Sequence, residues 1–339
     1  MSKIDPQPVN AFYAPTLLPA IEELLARGVT QGAIEAQLRR SLFDLRTPFT
    51  RMPLLMSRRF WAFAVEQSGD PLIGLAAGER FVSTATNGLT YLFDVAVSLE
   101  RACAFFAEYF AFFNGHFRVQ ILREDDGVTL RLVEAGSLGA PAALTDYILV
   151  SLCSLVRRKL LASGVNRDPV LGVALASASR EQHQSALRAP VSAEQSCAAI
   201  YLDPQLFVMP LTPGNPALET TLVDLLEQTR RLSESTLLGQ LSDYLIEDLA
   251  SADWQQFCVT QHLLERTAAR RLKALGWTFS ELLDEHRRYR AEDLLQSGAL
   301  ELVEVADRLG YSDVQGFNRA FARWLGCAPG EYRARWLKL

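Results

Sequence analysis

The sequence predicts two domains, an N-terminal α+β domain followed by a C-terminal all-α domain. Its 339 residues are enough to form two separate hydrophobic cores. Three prolines and a glycine between positions 210 and 216 exclude a continuous helix or strand there. Strand-like alternation occurs only before this segment, whereas helical periodicity alone follows it. We therefore assign residues 1–211 to the first domain, 212–234 to a linker and 235–339 to the second domain.

The composition is that of a folded globular protein, with 49% apolar and 22% charged residues. The longest apolar runs, 105–113 and 147–156, are well short of the roughly 20 residues of a membrane helix, so we interpret them as core helices. The first ten residues lack the pattern of a secretory signal. The five cysteines and four histidines are dispersed without metal-ligand or redox spacing. These features predict a cytoplasmic protein with no metal, no cofactor and no membrane partner.

The first domain combines helical and strand patterns. Helical periodicity is found at residues 17–26, 53–66, 99–113 and 143–161. Apolar and polar residues alternate at 117–123 and 128–134, on either side of a Glu-Asp-Asp-Gly segment, which predicts a β-hairpin. Residues 170–176 and 198–202 are further strand candidates.

Only helical patterns follow the proline-rich segment. A helix at about 218–234 is predicted to bridge the two domains. Seven short helices are then predicted at residues 237–250, 253–261, 264–275, 279–295, 302–309, 313–325 and 330–336.

Residues 302–324 have the pattern of a helix-turn-helix. The first helix buries Val305 and Leu309, and Gly310 can adopt the left-handed conformation that ends a helix. Ser312 is the predicted N-cap of the second helix. Apolar residues in that helix follow helical spacing at Phe317, Ala320, Phe321 and Trp324. The opposite face is polar and basic, with Gln315, Asn318, Arg319, Ala322 and Arg323.

A polar and basic face of this kind suits the major groove of DNA. A plain helical hairpin with a solvated outer face explains the same pattern, and Gln315 could instead complete a capping box with Ser312. The net charge is −5, but residues 261–339 carry 13 Lys and Arg against 11 Asp and Glu. The basic residues are thus enriched where a DNA-binding segment would need them.

The order of residues around this motif resembles the AraC/XylS family of transcription regulators. The matching pattern comprises Ala306, Leu309-Gly310-Tyr311-Ser312, Phe317, Arg319-Ala320-Phe321, Trp324, Gly326, Pro329 and Tyr332-Arg333. The resemblance implies two helix-turn-helix units joined by one long helix, here residues 279–295. At about 1.5 Å per residue, such a helix suits the placing of two units in successive major grooves.

By the same resemblance, the first helix-turn-helix unit occupies residues 257–275. Arg270-Arg271-Leu272-Lys273, Gly276 and Phe279 match the family pattern. The upstream part departs from it at Cys258, His262, Leu264 and Ala268. His262 stands where the family pattern has the glycine of the turn, and Leu264 stands where it has the N-cap serine. We therefore expect a looser or rebuilt turn.

The predicted DNA-binding residues lie on the outer faces of the second helix of each unit. They are Arg266, Ala269, Arg270, Lys273, Gln315, Asn318, Arg319 and Arg323. The alternative for the arginines of the first unit is that they only pair with Glu265 or Asp284.

The N-terminal domain resembles the arabinose-binding-like sensor domain that precedes AraC-type DNA-binding domains. The matching residues are Arg51, Pro53, Gly69-Asp70-Pro71, Gly74-Leu75, Gly88, Leu206 and Pro210-Leu211. Candidate effector-binding residues are polar or aromatic side chains among apolar neighbours: Arg51, Trp61, Tyr91, His116 and Arg118. Each of them also has a purely structural interpretation, as a turn brace, core residue or helix end.

Together these features predict a bacterial transcription regulator, associated with the nucleoid, that binds double-stranded DNA at a promoter or operator. The other expected partners are a small-molecule effector and a second copy of the chain, both bound by residues 1–211, and, for an activator, RNA polymerase. Two alternatives stay open, control by a protein partner without a metabolite and an enzyme domain fused to a DNA-binding domain. The sequence lacks the Gly-x-Ser-x-Gly, His-Glu-x-x-His, phosphate-loop and Gly-x-Gly-x-x-Gly motifs, so we expect no catalytic residues.

Overall fold

A computed structural model describes residues 11–46, 50–81, 86, 88–124, 127–135, 139–175, 180–193, 197–212, 214–233 and 237–336. The chain divides into two compact units, residues 1–234 and residues 235–339. The first unit contains helices and strands, and the described part of the second contains helices alone. None of the described helices is both long and apolar enough to cross a membrane.

The first unit starts with short elements and ends with a long helix. Its helices are α1 (Leu18–Ala26), α2 (Gln31–Leu38), α3 (Leu42–Leu45), α4 (Leu54–Ser68), α5 (Ile73–Glu79), α6 (Leu89–Val95), α7 (Leu99–Asn114), α8 (Ala142–Ala162), α9 (Arg180–Leu187), α10 (Pro204–Val208) and α11 (Pro216–Ser233). Its strands are β1 (Ala11–Tyr13), β2 (Arg51–Pro53), β3 (Phe117–Glu124), β4 (Gly127–Glu134), β5 (Val170–Leu175), β6 (Val191–Ala193) and β7 (Ala198–Leu202).

The strands form two sheets. Strands β1 and β2 pair with each other, and the larger sheet has the order β3-β4-β7-β5-β6. All neighbours in the larger sheet are antiparallel except β5 and β6, which run parallel. The predicted hairpin is confirmed as β3 and β4, with Gln120 opposite Arg131 at its centre.

Helices α7 and α8 supply much of the core of the first unit. Phe93 packs edge-on against Phe106, with ring centroids 5.2 Å apart. Helix α5 crosses α8 so closely that a Cβ atom on Gly74 would lie 1.9 Å from the Ala143 carbonyl oxygen. A glycine is therefore required at position 74 for the two backbones to touch.

Helix α11 lies within the segment predicted as a linker, and it packs on the first unit. Leu226 is 1% exposed. The Tyr109 hydroxyl and Glu227 Oε1 are 3.0 Å apart, and Arg101 pairs with Glu219 at 2.8 Å. The helix is thus an integral part of the first unit because its apolar face is buried there.

The second unit consists of α12 (Leu237–Glu247), α13 (Trp254–Thr260), α14 (Glu265–Ala274), α15 (Phe279–Ser297), α16 (Leu302–Arg308), α17 (Val314–Leu325) and α18 (Pro329–Trp336). One core cluster joins α15, α16 and α17 through Leu295, Leu309, Phe317 and Phe321. Phe257 and Leu272 are buried as well, in α13 and α14.

Candidate DNA-binding surface

The turn between α16 and α17 is built around Gly310. The Tyr311 amide donates to the Ala306 carbonyl at 3.0 Å, which closes the end of α16. Gly310 has a φ of 75°, and a Cβ atom on it would lie 2.3 Å from the Ala250 carbonyl oxygen. Both the conformation and the close backbone approach require glycine.

The predicted N-cap Ser312 is wrong, because α17 begins one residue later and Asp313 caps it. The Gly316 amide donates to Asp313 Oδ1 at 2.6 Å, and this bond lowers the pKa of the carboxyl. A carboxylate is a good acceptor for helix N-terminal amides, and its charge is favourable there. The alternative capping box with Gln315 is therefore absent, and the Gln315 side chain is exposed.

Helix α17 has the two faces that its sequence predicts. Phe317, Ala320 and Phe321 are buried, while Trp324 is half-buried beside Phe321 and Tyr311. On the opposite face Gln315, Arg319, Ala322 and Arg323 are exposed, and Asn318 is half-buried.

The turn between α13 and α14 has the same geometry as the turn at Gly310. His262 has a φ of 54°, and the Leu263 amide donates to the Cys258 carbonyl at 2.8 Å. The expectation of a looser or rebuilt turn is therefore wrong. His262 adopts the left-handed conformation at a cost of about 1–2 kcal/mol that glycine would avoid. Leu264 is confirmed at the N-cap position of α14, where its side chain makes no capping hydrogen bond.

Helices α14 and α17 correspond residue by residue when both are counted from their N-caps, Leu264 and Asp313. The buried pairs in this register are Ala268 with Phe317 and Leu272 with Phe321. The exposed or half-buried pairs are Arg266 with Gln315, Ala269 with Asn318 and Arg270 with Arg319. Arg270 and Arg319 thus occupy equivalent exposed positions, six residues beyond the caps.

The cations on α14 are available to a ligand. Arg266, Arg270 and Lys273 are exposed, and the described residues offer them no hydrogen bond or ion pair. The alternative that Arg266 and Arg270 only pair with Glu265 or Asp284 is therefore wrong. Asp284 instead pairs with Arg323, whose Nη2 lies 2.7 Å from its Oδ2.

Helix α15 contacts the turn between α16 and α17. Its N-terminus has a capping box in which Thr278 and Glu281 satisfy each other's backbone amides. Arg287 lies over the Tyr311 ring at 4.9 Å and donates to the Gly310 carbonyl at 3.3 Å. These contacts hold the turn before α17 in a defined orientation.

The five candidate effector-binding residues lie in different environments. Trp61 is 1% exposed and packs on Tyr147, with ring centroids 5.6 Å apart. His116 is 1% exposed, and burial lowers its pKa to about 3. Arg51 lies over the Phe112 ring at 4.3 Å. Tyr91 is exposed on α6, and Arg118 is half-buried on β3.

Two cavities in the first unit are lined by other residues. The larger has a volume of about 770 Å³, and polar groups on its wall include Gln120, Arg131, Glu134, Thr145 and Asp146. The smaller, about 40 Å³, lies among aromatic side chains that include Phe106, Phe110 and Tyr147. None of the five candidates is among the described residues that line these cavities.

The polar residues of the larger cavity were missed at the sequence level. Arg131 and Glu134 belong to the hairpin, and Asp146 lies on α8, where His183 Nε2 is 3.1 Å from its Oδ1. Arg131 Nε is buried and has no hydrogen-bond partner in the part of the chain that the structure describes. In the sequence, Arg131 stands at a polar position of the alternating pattern, and such a position does not distinguish a cavity wall from a solvent-facing surface.

Comparison with known proteins matches both units to one family. The model described as "Arabinose-binding domain of AraC transcription regulator, N-term" matches residues 32–211, which is more than half of the chain. A model described as "Helix-turn-helix domain" matches residues 260–335.

Individual relatives are transcription regulators. The "Ornithine utilization regulator" of Pseudomonas aeruginosa is 27% identical over 96% of both chains. An uncharacterised HTH-type transcriptional regulator of Mycobacterium tuberculosis is 47% identical over 70 residues, 21% of this chain and 20% of that protein. The crystal structure of transcriptional regulator CdpR from P. aeruginosa aligns with a TM-score of 0.47 and 19% identity over 94% of this chain and 98% of that one. The two family matches show that the chain belongs to the AraC family of transcription regulators, with a helical, DNA-binding helix-turn-helix domain in its second unit.

Proposed function

We propose that the second unit contains two helix-turn-helix units, α13–α14 and α16–α17, and that α15 joins them. The observation that carries this proposal is the shared register of α14 and α17, with equivalent turns, buried positions and exposed arginines. The 19 residues of α15 span about 28 Å. That length is comparable to the roughly 34 Å between successive major grooves on one side of DNA.

In this proposal α14 and α17 enter the major groove. Arg270 and Arg319 read base edges, where a guanidinium binds guanine best. Arg266, Ala269 and Lys273 on α14, together with Gln315 and Asn318 on α17, line the rest of the contact surface. Arg323 contacts a phosphate after exchanging its exposed ion pair with Asp284, because exposed pairs of this kind contribute only about 0–1 kcal/mol.

DNA binding is tested by selecting fragments from a random duplex library with the purified full-length chain. We expect one preferred sequence with two half-sites, each read by one helix-turn-helix. Its affinity should fall steeply with salt, because each neutralised phosphate adds about −0.9 to the slope of log K against log salt. A salt-independent affinity, or no binding to any duplex, would contradict the proposal.

We further propose that the first unit binds a small-molecule effector in the larger cavity. A volume of about 770 Å³ lies within the usual range of ligand sites. Arg131, whose Nε has no hydrogen-bond partner among the described residues, can offer a carboxylate two parallel hydrogen bonds. Glu134 on the same wall could attract an ammonium group. The name of the ornithine utilization regulator supports an effector related to an amino acid. A role for the five residues predicted earlier stays a prediction.

The effector proposal is tested by thermal unfolding with ornithine, with valerate, which lacks the amines, and with putrescine, which lacks the carboxylate. We expect ornithine at millimolar concentration to raise the Tm, since a ligand stabilises the state that binds it. The Arg131→Gln variant should lose this increase. A Tm that does not change with ornithine, or an equal increase in the variant, would contradict the proposed effector class or site.

We also propose that the chain acts as a homodimer and, at promoters that it activates, contacts RNA polymerase. The support is the size of the first unit and its resemblance to regulators that bind paired half-sites. Sedimentation of the full-length chain with the selected DNA measures the number of copies bound.

A further inference from the structure

Leu264 is an exposed apolar residue at a position where helices favour a polar one. It is the N-cap of α14, its side chain makes no capping bond, and 78% of it is exposed. Ser, Thr, Asp and Asn are preferred at an N-cap, and a large exposed side chain adds apolar surface to water. Departures from local rules of this kind are typical of functional positions.

The surroundings of Leu264 indicate a nucleic-acid occupant. The first two turns of α14 present Arg266 and Arg270, both exposed and both without an ion pair to the described residues. This positive charge complements a phosphate backbone better than it complements an apolar protein surface. The N-terminal residues of a recognition helix are also the ones that contact base edges.

The chemistry of the major groove then specifies the partner. The groove presents hydrogen-bond donors and acceptors, and the C5-methyl of thymine is its apolar group. We propose that Leu264 contacts the C5-methyl of one thymine in the half-site read by α14. This inference rests on the proposed DNA-binding function and adds a specificity-determining residue to it.

The corresponding N-cap position in the second helix-turn-helix, α16–α17, has the opposite chemistry. Asp313, the N-cap of α17, is a carboxylate whose Oδ1 already accepts from the Gly316 amide. It offers no apolar surface to a methyl group. The requirement for a thymine methyl should therefore be confined to the half-site read by α14.

The experiment replaces each thymine of the selected duplex in turn with deoxyuridine, which lacks only the C5-methyl. The wild-type chain should lose about fourfold in affinity at one position, as the burial of one methyl group predicts. The Leu264→Ser variant should bind the thymine and deoxyuridine duplexes equally at that position. Leu264→Ala should behave in the same way without adding a hydroxyl.

Two controls separate this effect from folding and from general exposure. Leu264→Ser supplies the missing cap, so its Tm should equal or exceed that of the wild type. Val303→Ser removes another exposed apolar side chain, 66% exposed on α16, and should leave the deoxyuridine profile unchanged.

The outcomes distinguish the two proposals. If the chain binds a preferred duplex but no deoxyuridine effect depends on residue 264, the thymine contact is overturned and DNA binding stands. If Leu264→Ser keeps its DNA affinity and loses only transcription activation in a purified system, the occupant is a protein and the thymine contact is again overturned. If the wild-type chain binds no duplex, both proposals fail.

Discussion

Replacing Gly310 with alanine is expected to destabilise the second unit by about 2–5 kcal/mol. The left-handed conformation costs an alanine about 1–2 kcal/mol, and the new methyl group would lie 2.3 Å from the Ala250 carbonyl oxygen. That neighbour is a backbone atom, so relief requires the chain around residue 250 to shift, which adds about 1–3 kcal/mol. Because this turn orients α17, DNA affinity should fall together with stability. Thermal unfolding followed by circular dichroism, and affinity for the selected duplex, measure the two losses.

Gly326 provides a matched control for this substitution. It ends α17 with a φ of 70°, and a Cβ atom there would have no heavy atom within 4 Å apart from its neighbours in the chain. Gly326→Ala should therefore cost only the conformational part, about 1–2 kcal/mol. An equal loss of stability in the two variants would show that the contact with Ala250 does not contribute to the cost of Gly310→Ala.

Replacing Arg319 with alanine is expected to weaken binding to the selected duplex by about 1–3 kcal/mol, which is roughly fivefold to 150-fold. The side chain is exposed on the face opposite Phe317 and Phe321, and no hydrogen bond or ion pair to the described residues holds it. Loss of an exposed helical arginine should change the free energy of unfolding by no more than about 0.5 kcal/mol. Titrations of the selected duplex and of a scrambled one separate a base contact from a phosphate contact.

Arg308 is the charge-matched control for Arg319. It is exposed at the end of α16, on the first helix of the helix-turn-helix and not on the proposed recognition helix α17. Arg308→Ala should produce a smaller loss, of similar size on both duplexes. If Arg319→Ala loses the same affinity for the selected and the scrambled duplex, Arg319 contacts a phosphate and not a base. A large fall in Tm with unchanged affinity of the folded protein would show that the proposed recognition face is wrong.

The patterns that predicted the fold best were those that depend on neighbours along the chain. The alternation at 117–134 predicted the hairpin, and the apolar runs at 105–113 and 147–156 lie in α7 and α8. The buried stripe of α17 follows from its helical spacing in the same way. Arg270 and Arg319 were predicted as exposed, because each lies opposite the apolar stripe of its own helix.

Other features of the fold had weak local signals. Short elements contain too few periods to be recognised, so several were not predicted: helices α2, α3, α5, α6, α9 and α10 and strands β1, β2 and β6. The placing of β7 between β4 and β5 depends on pairing between strands that are distant in the chain. The close crossing of α5 and α8 at Gly74 likewise becomes visible only when both backbones are present.

By itself, the sequence determined the family resemblance, the mixed and all-helical halves, and the exposed basic faces, since all of these depend on residue order and helical period. Only the tertiary structure decided that Asp313 and not Ser312 caps α17, that His262 forms the same turn as Gly310, and that Arg131 faces a cavity. The physical reason is that caps, left-handed residues and cavity walls depend on which backbone groups meet in space. Spacing along a chain specifies a face of a helix or strand, whereas the partner of that face is set by the rest of the fold.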